Sequence, residues 1–202
     1  SKVVAIKPNW CYHTPKLNSI KIDPNNVHFN FYDEKFIIGK LSNQSEFYET
    51  LLFAVRNINY ALIPDFVKEI QAYAFQDCKM LRKIDISDNS DLKIIGYGAF
   101  ILSGIECFTI NPNLEVIEPY AFYYCKNMKK IICQPDCNLK EIGNYAFSET
   151  SIKSFSVPEK VEFLSSTFEN CFSLQIIEFN EYSNMHEIDY FTFEFLDNLI
   201  IM

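Results

Sequence analysis

The chain has 202 residues, of which 49% are hydrophobic and 16% are aromatic. This composition excludes a disordered or collagen-like chain and is sufficient for a single domain with a sizeable core. The formal net charge of −8 argues against nucleic acid or an anionic membrane surface as a partner, because both require clustered Lys and Arg. No apolar stretch approaches the roughly 18–20 residues of a membrane span, so we expect no direct membrane insertion.

The first apolar pattern in the chain has the form apolar-x-x-apolar-x-apolar. It occurs at Leu17, Ile20 and Ile22, and it returns in later copies such as Leu81, Ile84 and Ile86. The last two apolar positions are two residues apart, which is the period of a strand with one buried face. We therefore predict a series of short strands, each of which pairs in parallel with its counterpart in the next copy.

A dipeptide that ends in Phe marks the rest of the chain. It reads Ala-Phe four times and then Thr-Phe twice, with the phenylalanines at positions 75, 100, 122, 147, 168 and 193. The intervals alternate between long and short, at 25, 22, 25, 21 and 25 residues. Periods of this length indicate a solenoid, in which neighbouring units bury a shared core. We expect the phenylalanines to stack in that core, and each Ala-Phe segment to form a short helical or 3₁₀ turn.

These columns resemble the Treponema-pallidum-type leucine-rich repeat of BspA-like proteins, whose pattern is L-x-x-I-x-I-P-x-x-V-x-x-I-x-x-x-A-F-x-x-C-x-x-L. Residues 63–81, which read IPDFVKEIQAYAFQDCKML, match it nearly end to end, and the similarity covers residues 62–202. The composition, rich in Asn, Ile, Phe and Tyr, is similar to that of members from parasitic protozoa such as trichomonads. The resemblance implies a β-rich, right-handed leucine-rich-repeat coil with a parallel sheet on one face and short turns on the other. It also implies a cell-surface or secreted protein used in adhesion or host interaction.

The same resemblance divides the chain. We expect one leucine-rich-repeat domain over residues 1–202 that is truncated at both ends, with further repeats beyond them. Residues 1–22 are a partial repeat, 23–60 an insertion, and 61–202 about six repeats. The insertion should carry a β-hairpin with strands at Phe36–Ile38 and Leu51–Val55. Asn43 begins an N-x-S sequon in the hairpin loop and would be a glycosylation site in a secreted protein.

Three of the seven cysteines, Cys78, Cys125 and Cys171, recur once per two repeats. Strands two coils apart are separated by about 9.6 Å, beyond the ~7 Å limit between the Cα atoms of a disulfide. These cysteines are therefore expected to be buried free thiols. Cys133 and Cys137 lack the four ligands of a zinc site, and a disulfide from Cys137 to Cys107 remains an alternative, although Cys107 should face solvent.

No nucleophile-and-base motif or nucleotide-binding motif occurs, so we predict a protein that is not an enzyme and has no cofactor or metal. The leading hypothesis is a binding module that contacts a protein or glycan through the exposed face of the sheet. The insertion loops are an alternative contact surface, and a cytoplasmic scaffold or a structural spacer are alternative roles. The outward positions of the strands predict the binding face: Lys83, Asp85, Thr109, Lys130, Ile132, Ser154, Ser156, Ile176 and Glu178.

Overall fold

A computed structural model describes residues 3–7, 9–40, 45–134, 136–194, 196 and 199–202. Within these ranges the chain forms sixteen β-strands and no helix. Among the same residues, therefore, no helix is long and apolar enough to cross a membrane. The chain is a β-solenoid, as the repeat predicted, with two parallel ladders of short strands that run along its length.

Three antiparallel strands begin the described structure: β1 (Phe29–Tyr32), β2 (Phe36–Gly39) and β3 (Thr50–Ala54). Strands β2 and β3 are the predicted hairpin, whereas β1 was not predicted. Asp33, Glu34 and Lys35 join β1 to β2, and the N–H of Lys35 donates to the carbonyl of Tyr32. Asp33 and Glu34 have positive φ angles, of 50° and 53°, as the two central residues of a type I′ turn require. The predicted strand at residues 17–22 was wrong: Ile20 and Ile22 pack against the core without strand pairing.

The front sheet, as we call the first ladder, contains the predicted strands. It comprises β4 (Tyr60–Leu62), β6 (Lys83–Asp85), β8 (Cys107–Ile110), β10 (Lys130–Cys133), β12 (Ser154–Val157), β14 (Ile176–Phe179) and β16 (Ile200–Ile201). Alternate residues face the core, and there Ile84, Phe108, Ile131, Phe155 and Ile177 are all buried. Neighbouring strands pair in parallel, as predicted, except that no pairing joins β10 to β12.

The rear sheet continues from β3 through two-residue strands. These are β5 (Glu69–Ile70), β7 (Ile94–Ile95), β9 (Val116–Ile117), β11 (Glu141–Ile142), β13 (Phe163–Leu164) and β15 (Glu187–Ile188). Parallel pairing runs through β3-β5-β7-β9-β11 and ends at β11, and β13 pairs only with β15. Both ladders are therefore interrupted between the same two coils. In this coil Phe168 follows the rear-strand residue Leu164 by four positions, whereas Phe147 follows Ile142 by five.

The recurring phenylalanines form a continuous stack inside the solenoid, as predicted. Ring centroids of successive residues lie 4.8, 4.9, 5.5, 5.7 and 6.1 Å apart from Phe75 to Phe193, with interplanar angles between 1° and 16°. Five of the six side chains are completely buried; Phe193, in the last repeat, is half-buried. Each ring from Phe100 to Phe168 therefore packs against both neighbouring coils, so that the stack couples each repeat to the next.

The Ala-Phe segments form β-turns and not the predicted helical or 3₁₀ turns. In the first repeat the N–H of Ala74 donates to the carbonyl of Gln71, and that of Cys78 donates to the carbonyl of Phe75. The third residues of these turns, Tyr73 and Asp77, have φ angles of 61° and 57°, which is the pattern of a type II turn. The N–H of Phe75 between them donates to Ala99 of the next coil. A helix would have kept that donor within its own coil.

Cys78, Cys125 and Cys171 are buried free thiols, as predicted. Each donates to a main-chain carbonyl of the preceding coil; the Sγ of Cys125, for example, lies 3.0 Å from the Phe100 oxygen. Ser103 and Thr150 occupy the same column in the intervening coils, where their hydroxyls contact Cys125 and Cys171 at 3.3 Å. This repeat position is thus a buried row of small side chains whose polar atoms are hydrogen-bonded.

Candidate functional site: the front face

The nine predicted residues all lie on the outward side of the front sheet, where each is exposed or half-exposed. Parallel register places Lys130 beside Cys107 and Ile132 beside Thr109. In the same way, Ser154 lies beside Ile176 and Ser156 beside Glu178. Because β10 and β12 are not paired, the residues form two groups. One comprises Lys83, Asp85, Thr109, Lys130 and Ile132, and the other comprises Ser154, Ser156, Ile176 and Glu178.

Charges at the start of this face are neutralised by their neighbours. The ammonium of Lys83 lies 2.8 Å from the Asp85 carboxylate, and the Tyr60 hydroxyl donates to the same carboxylate at 3.0 Å. The hydrogen bond with Lys83 lowers the pKa of Asp85, and the same contact raises the pKa of Lys83. Exposed ion pairs of this kind contribute little free energy to folding, and a partner would have to compete with them.

A polar contact also organises the second group. The hydroxyl of Ser156 donates to the carboxylate of Glu178 at 2.5 Å. By contrast, Lys130 at the centre of the face forms no ion pair with any residue in the described ranges. Among the described residues, the side chains that remain available to a partner are therefore the exposed Lys130 and Ser154 and the half-exposed Thr109, Ile132 and Ile176.

Two apolar residues of the front face were missed by the sequence analysis. Tyr60 and Leu62 of β4 point outward, with 38% and 54% of their surface exposed. The sequence does alternate here: Ala61 lies between them and pairs with Ile84 of the next coil. Ala61 therefore stands at the buried position of the strand, where the later coils have a larger apolar residue. Because the insertion was predicted to extend through residue 60, this first strand of the front sheet was not predicted.

A row of tyrosines follows the turns along the outside of the coil. It comprises Tyr12, Tyr73, Tyr97, Tyr120 and Tyr145, whose successive ring centroids are 5.1, 5.7, 5.4 and 4.9 Å apart. All five are exposed or half-exposed. Tyr73, Tyr120 and Tyr145 each directly precede an Ala-Phe dipeptide, whereas Gly98 holds that position in the second coil. Gly98 has no side chain, and Tyr97, one residue earlier, supplies the ring instead. The first two pairs meet edge to face, the third is tilted, and only Tyr120 and Tyr145 are stacked, with 23° between their planes.

A cavity of about 780 Å³ opens beyond the carboxyl ends of β10, β12 and β14. Cys133 and Cys137 lie on its wall, together with Lys160 and several carboxylates. Cys107 begins β8, at the end of that strand away from the cavity, and both Cys107 and Cys137 are free thiols, so the alternative disulfide between them was wrong. Within the described part of the chain, no three His, Cys, Asp or Glu side chains cluster as metal ligands. The predicted glycosylation site, Asn43, lies outside the described residues.

Comparison with known families identifies the repeat. Residues 46–171 and 138–202 match the sequence model described as the BspA type leucine rich repeat region, in six copies. No curated protein is significantly similar to the chain.

Solved structures are similar in fold at low sequence identity. A leucine-rich-repeat protein of Treponema pallidum is 19% identical, with a TM-score of 0.58 over 84% of this chain and 81% of that chain. The pneumococcal vaccine antigen PcpA is 20% identical, with a TM-score of 0.45 over 71% of this chain, which spans only 50% of the PcpA chain. A leucine-rich-repeat protein from Bacteroides ovatus is 16% identical, with a TM-score of 0.33 over 84% of this chain and 76% of that chain. At 19% identity, the likeness to the T. pallidum protein shows the fold alone.

Proposed function

This chain belongs to the BspA-type leucine-rich-repeat family, and on that premise we propose that it is a non-enzymatic protein-binding module. The observation that carries the proposal is the front face, a preformed surface on a solenoid whose core stack is continuous. Such a surface binds without ordering a loop, so little conformational entropy is lost on association. We further propose that the module belongs to a cell-surface or secreted protein and contributes to adhesion.

The contact is centred on Ile132. It is half-exposed, it lies beside the Thr109 methyl and hydroxyl, and the uncompensated ammonium of Lys130 is two residues away on the same strand. Tyr60 and Leu62 are a second exposed apolar pair at the amino-terminal end of the sheet, separated from Ile132 by β6, which carries the Lys83–Asp85 ion pair, and by β8. Binding energy at interfaces is concentrated in a few central residues surrounded by polar contacts, and the arrangement around Ile132 has this form.

Paired variants test the role of the front face. Ile132→Asp introduces a charge at its centre, and Ile94→Asp makes the same change at a half-exposed outward position of the rear sheet. Wild type and both variants would be compared on purified extracellular-matrix proteins and on a glycan array, with folding checked by circular dichroism. We expect Kd for a matrix protein to rise at least about tenfold in Ile132→Asp, a cost of about 1.4 kcal/mol, and to stay unchanged in Ile94→Asp.

Two outcomes would contradict the proposal. Equal affinity of wild type and Ile132→Asp would remove the front face from the interaction. Binding to glycans alone, with no protein bound, would replace a protein partner by a carbohydrate.

The seven free cysteines favour a second candidate, a cytoplasmic scaffold of the same fold. Cys107 is half-exposed and unpaired, and such thiols persist more readily in a reducing compartment. The complete open reading frame distinguishes the two candidates. A signal peptide at its start would support the cell-surface role, and an open reading frame that encodes no signal peptide would support the scaffold.

A further inference from the structure

The amino-terminal insertion and the first coil together form an open, largely aromatic cavity. Its volume is about 350 Å³, and it is lined by Asn30, Tyr32, Ile38, Phe47, Tyr48 and Phe66. Asn30 and Tyr32 are alternate residues of β1, so their side chains point to the same face of the sheet. Cross-strand pairing places the buried Ile38 of β2 beside Asn30 as the floor. No residue of the front face is among the described residues that line this cavity, so it is a separate candidate site.

Four of the six lining residues are aromatic, and three of them are well exposed. The ring of Phe66 meets that of Tyr32 edge to face, with centroids 5.8 Å apart and 81° between the planes. Tyr32, Phe47 and Phe66 keep 38%, 70% and 40% of their surface exposed. A single exposed aromatic residue is ordinary on a protein surface. Three around one cavity form an apolar patch of the kind that marks a binding site.

Polar side chains are scarce in this cavity. Among the described residues that line it, only Asn30 and the hydroxyls of Tyr32 and Tyr48 offer side-chain hydrogen bonds. A sugar or a nucleotide would need several such groups to replace its hydration. The lining therefore suits a compact ligand whose surface consists mainly of methyl or methylene groups.

The charge next to the aromatic residues is predominantly negative. The acidic residues that adjoin the four rings in sequence are Asp33, Glu46, Glu49 and Asp65. Lys35 pairs with the first of these and Lys68 with the third. Glu46 and Asp65 form no ion pair with any described residue. Because the faces of aromatic rings also carry negative potential, both the rings and their surroundings attract a cation.

The chain itself places one cation on a ring of the cavity. The ammonium of Lys40 lies 6.0 Å from the centroid of the Tyr48 ring, at the outer limit of a cation–π contact. Such contacts strengthen when the cation is desolvated. A primary ammonium is strongly hydrated, whereas a cation whose charge is covered by methyl groups gives up its water more readily and suits the interior of the cavity.

We propose that this cavity binds the trimethylammonium group of a small organic cation. The methyl groups of a quaternary ammonium ion pack on ring faces and carry its positive charge without needing hydrogen-bond partners. A primary ammonium would leave N–H donors without acceptors in the same place. The volume of about 350 Å³ lies at the lower end of the range for small-molecule sites, which suits a cation of the size of choline.

Choline and its neutral isostere 3,3-dimethylbutan-1-ol provide the test, because they differ in charge and hardly in shape. Each is titrated with the protein, and the methyl proton resonance of the ligand is followed, which shifts upfield when methyl groups lie on ring faces. We expect choline to bind wild type at least about ten times more tightly than the isostere. Equal affinities, or no shift at millimolar choline, would overturn the proposal without any variant.

Leucine variants separate cation–π attraction from apolar contact at constant charge. Phe66→Leu and Tyr32→Leu keep an apolar side chain but remove the ring. We expect each to weaken choline binding about five- to tenfold and to change binding of the isostere less than about twofold. Phe172, with 70% of its surface exposed, supplies the matched control: Phe172→Leu should bind choline as wild type does. Circular dichroism checks folding, and equal choline affinity of Phe66→Leu and Phe172→Leu would refute the assignment.

A second ligand distinguishes the source of the trimethylammonium group. A short peptide that contains trimethyllysine carries the same group on a protein side chain, and the peptide with unmodified lysine is its control. We expect choline to bind at least as tightly as the trimethyllysine peptide. Much tighter binding of that peptide would replace the small organic cation by a methylated protein as the ligand.

Discussion

Removal of one ring from the phenylalanine stack provides the most direct test of how this solenoid is held together. Phe122 is completely buried. It stacks on Phe100 at 4.9 Å and on Phe147 at 5.5 Å, and it contacts Phe108 of the front sheet at 4.8 Å. Phe122→Ala therefore removes contacts with two neighbouring coils as well as with its own.

The expected cost is about 3–5 kcal/mol, the range for Phe→Ala substitutions in cores. The upper part of that range is favoured, because each aromatic pair adds about 0.5–1.5 kcal/mol beyond the area it buries. Among the described residues, half-buried Phe193 stacks only on Phe168, at 6.1 Å, so we expect Phe193→Ala to cost roughly 1–2 kcal/mol. Phe172, with 70% of its surface exposed, supplies the control, for which the change should be within about 0.5 kcal/mol.

Urea unfolding followed by far-ultraviolet circular dichroism measures these differences. The expected order of destabilisation is Phe122→Ala, then Phe193→Ala, then Phe172→Ala. A loss of less than about 1 kcal/mol for Phe122→Ala would show that the stack is not the main core of the molecule. Equal losses at Phe122 and Phe193 would refute the idea that stability depends on how many neighbouring coils a ring contacts.

Two further predictions concern individual coils. Gly143→Ala should lower stability by about 1–3 kcal/mol, because a Cβ there would lie 2.4 Å from the Pro119 nitrogen; an unchanged thermal midpoint would contradict this. Burial alone would raise the pKa of Asp189, but hydrogen bonds from Ser165 and Thr192, both at 2.6 Å, outweigh it and hold the pKa below 3.8. Asp189 therefore contributes stability above about pH 4 that is lost as the pH falls through its folded-state pKa. The difference in urea midpoint between wild type and Asp189→Asn should accordingly shrink between pH 7 and pH 2, and a difference independent of pH would refute this assignment.

Much of the fold was predictable because each position of the repeat recurs in several coils, so that one assignment is checked by several residues. The column of Phe75 and its counterparts, the buried Cys125 and the strand at Ile84 each follow from a spacing that recurs in every coil. The Ala-Phe turns were mispredicted because short apolar segments suit helical and turn backbones equally well. The positive φ of Tyr73 has no signal in its residue type, since Gly is the usual residue at such positions.

The candidate site was less predictable than the fold. Alternation within strands was sufficient to place Ile132 and Lys130 on the outward face. Asp85 is paired with Lys83 of its own strand and also accepts a hydrogen bond from Tyr60 of the preceding coil. The second contact was not predicted, because the insertion was predicted to extend through residue 60.

The interruption of both ladders between β10 and β12, and between β11 and β13, has a consequence for how the molecule opens. In a linear array, cooperativity is transmitted only through the junctions between adjacent units. The junction after residue 151 lacks strand pairing on both sides and depends on stacked rings and turn hydrogen bonds, such as that from Phe147 to Thr167. Hydrogen exchange should therefore resolve two blocks with different protection, and a pulling force applied along the axis should first separate the chain there.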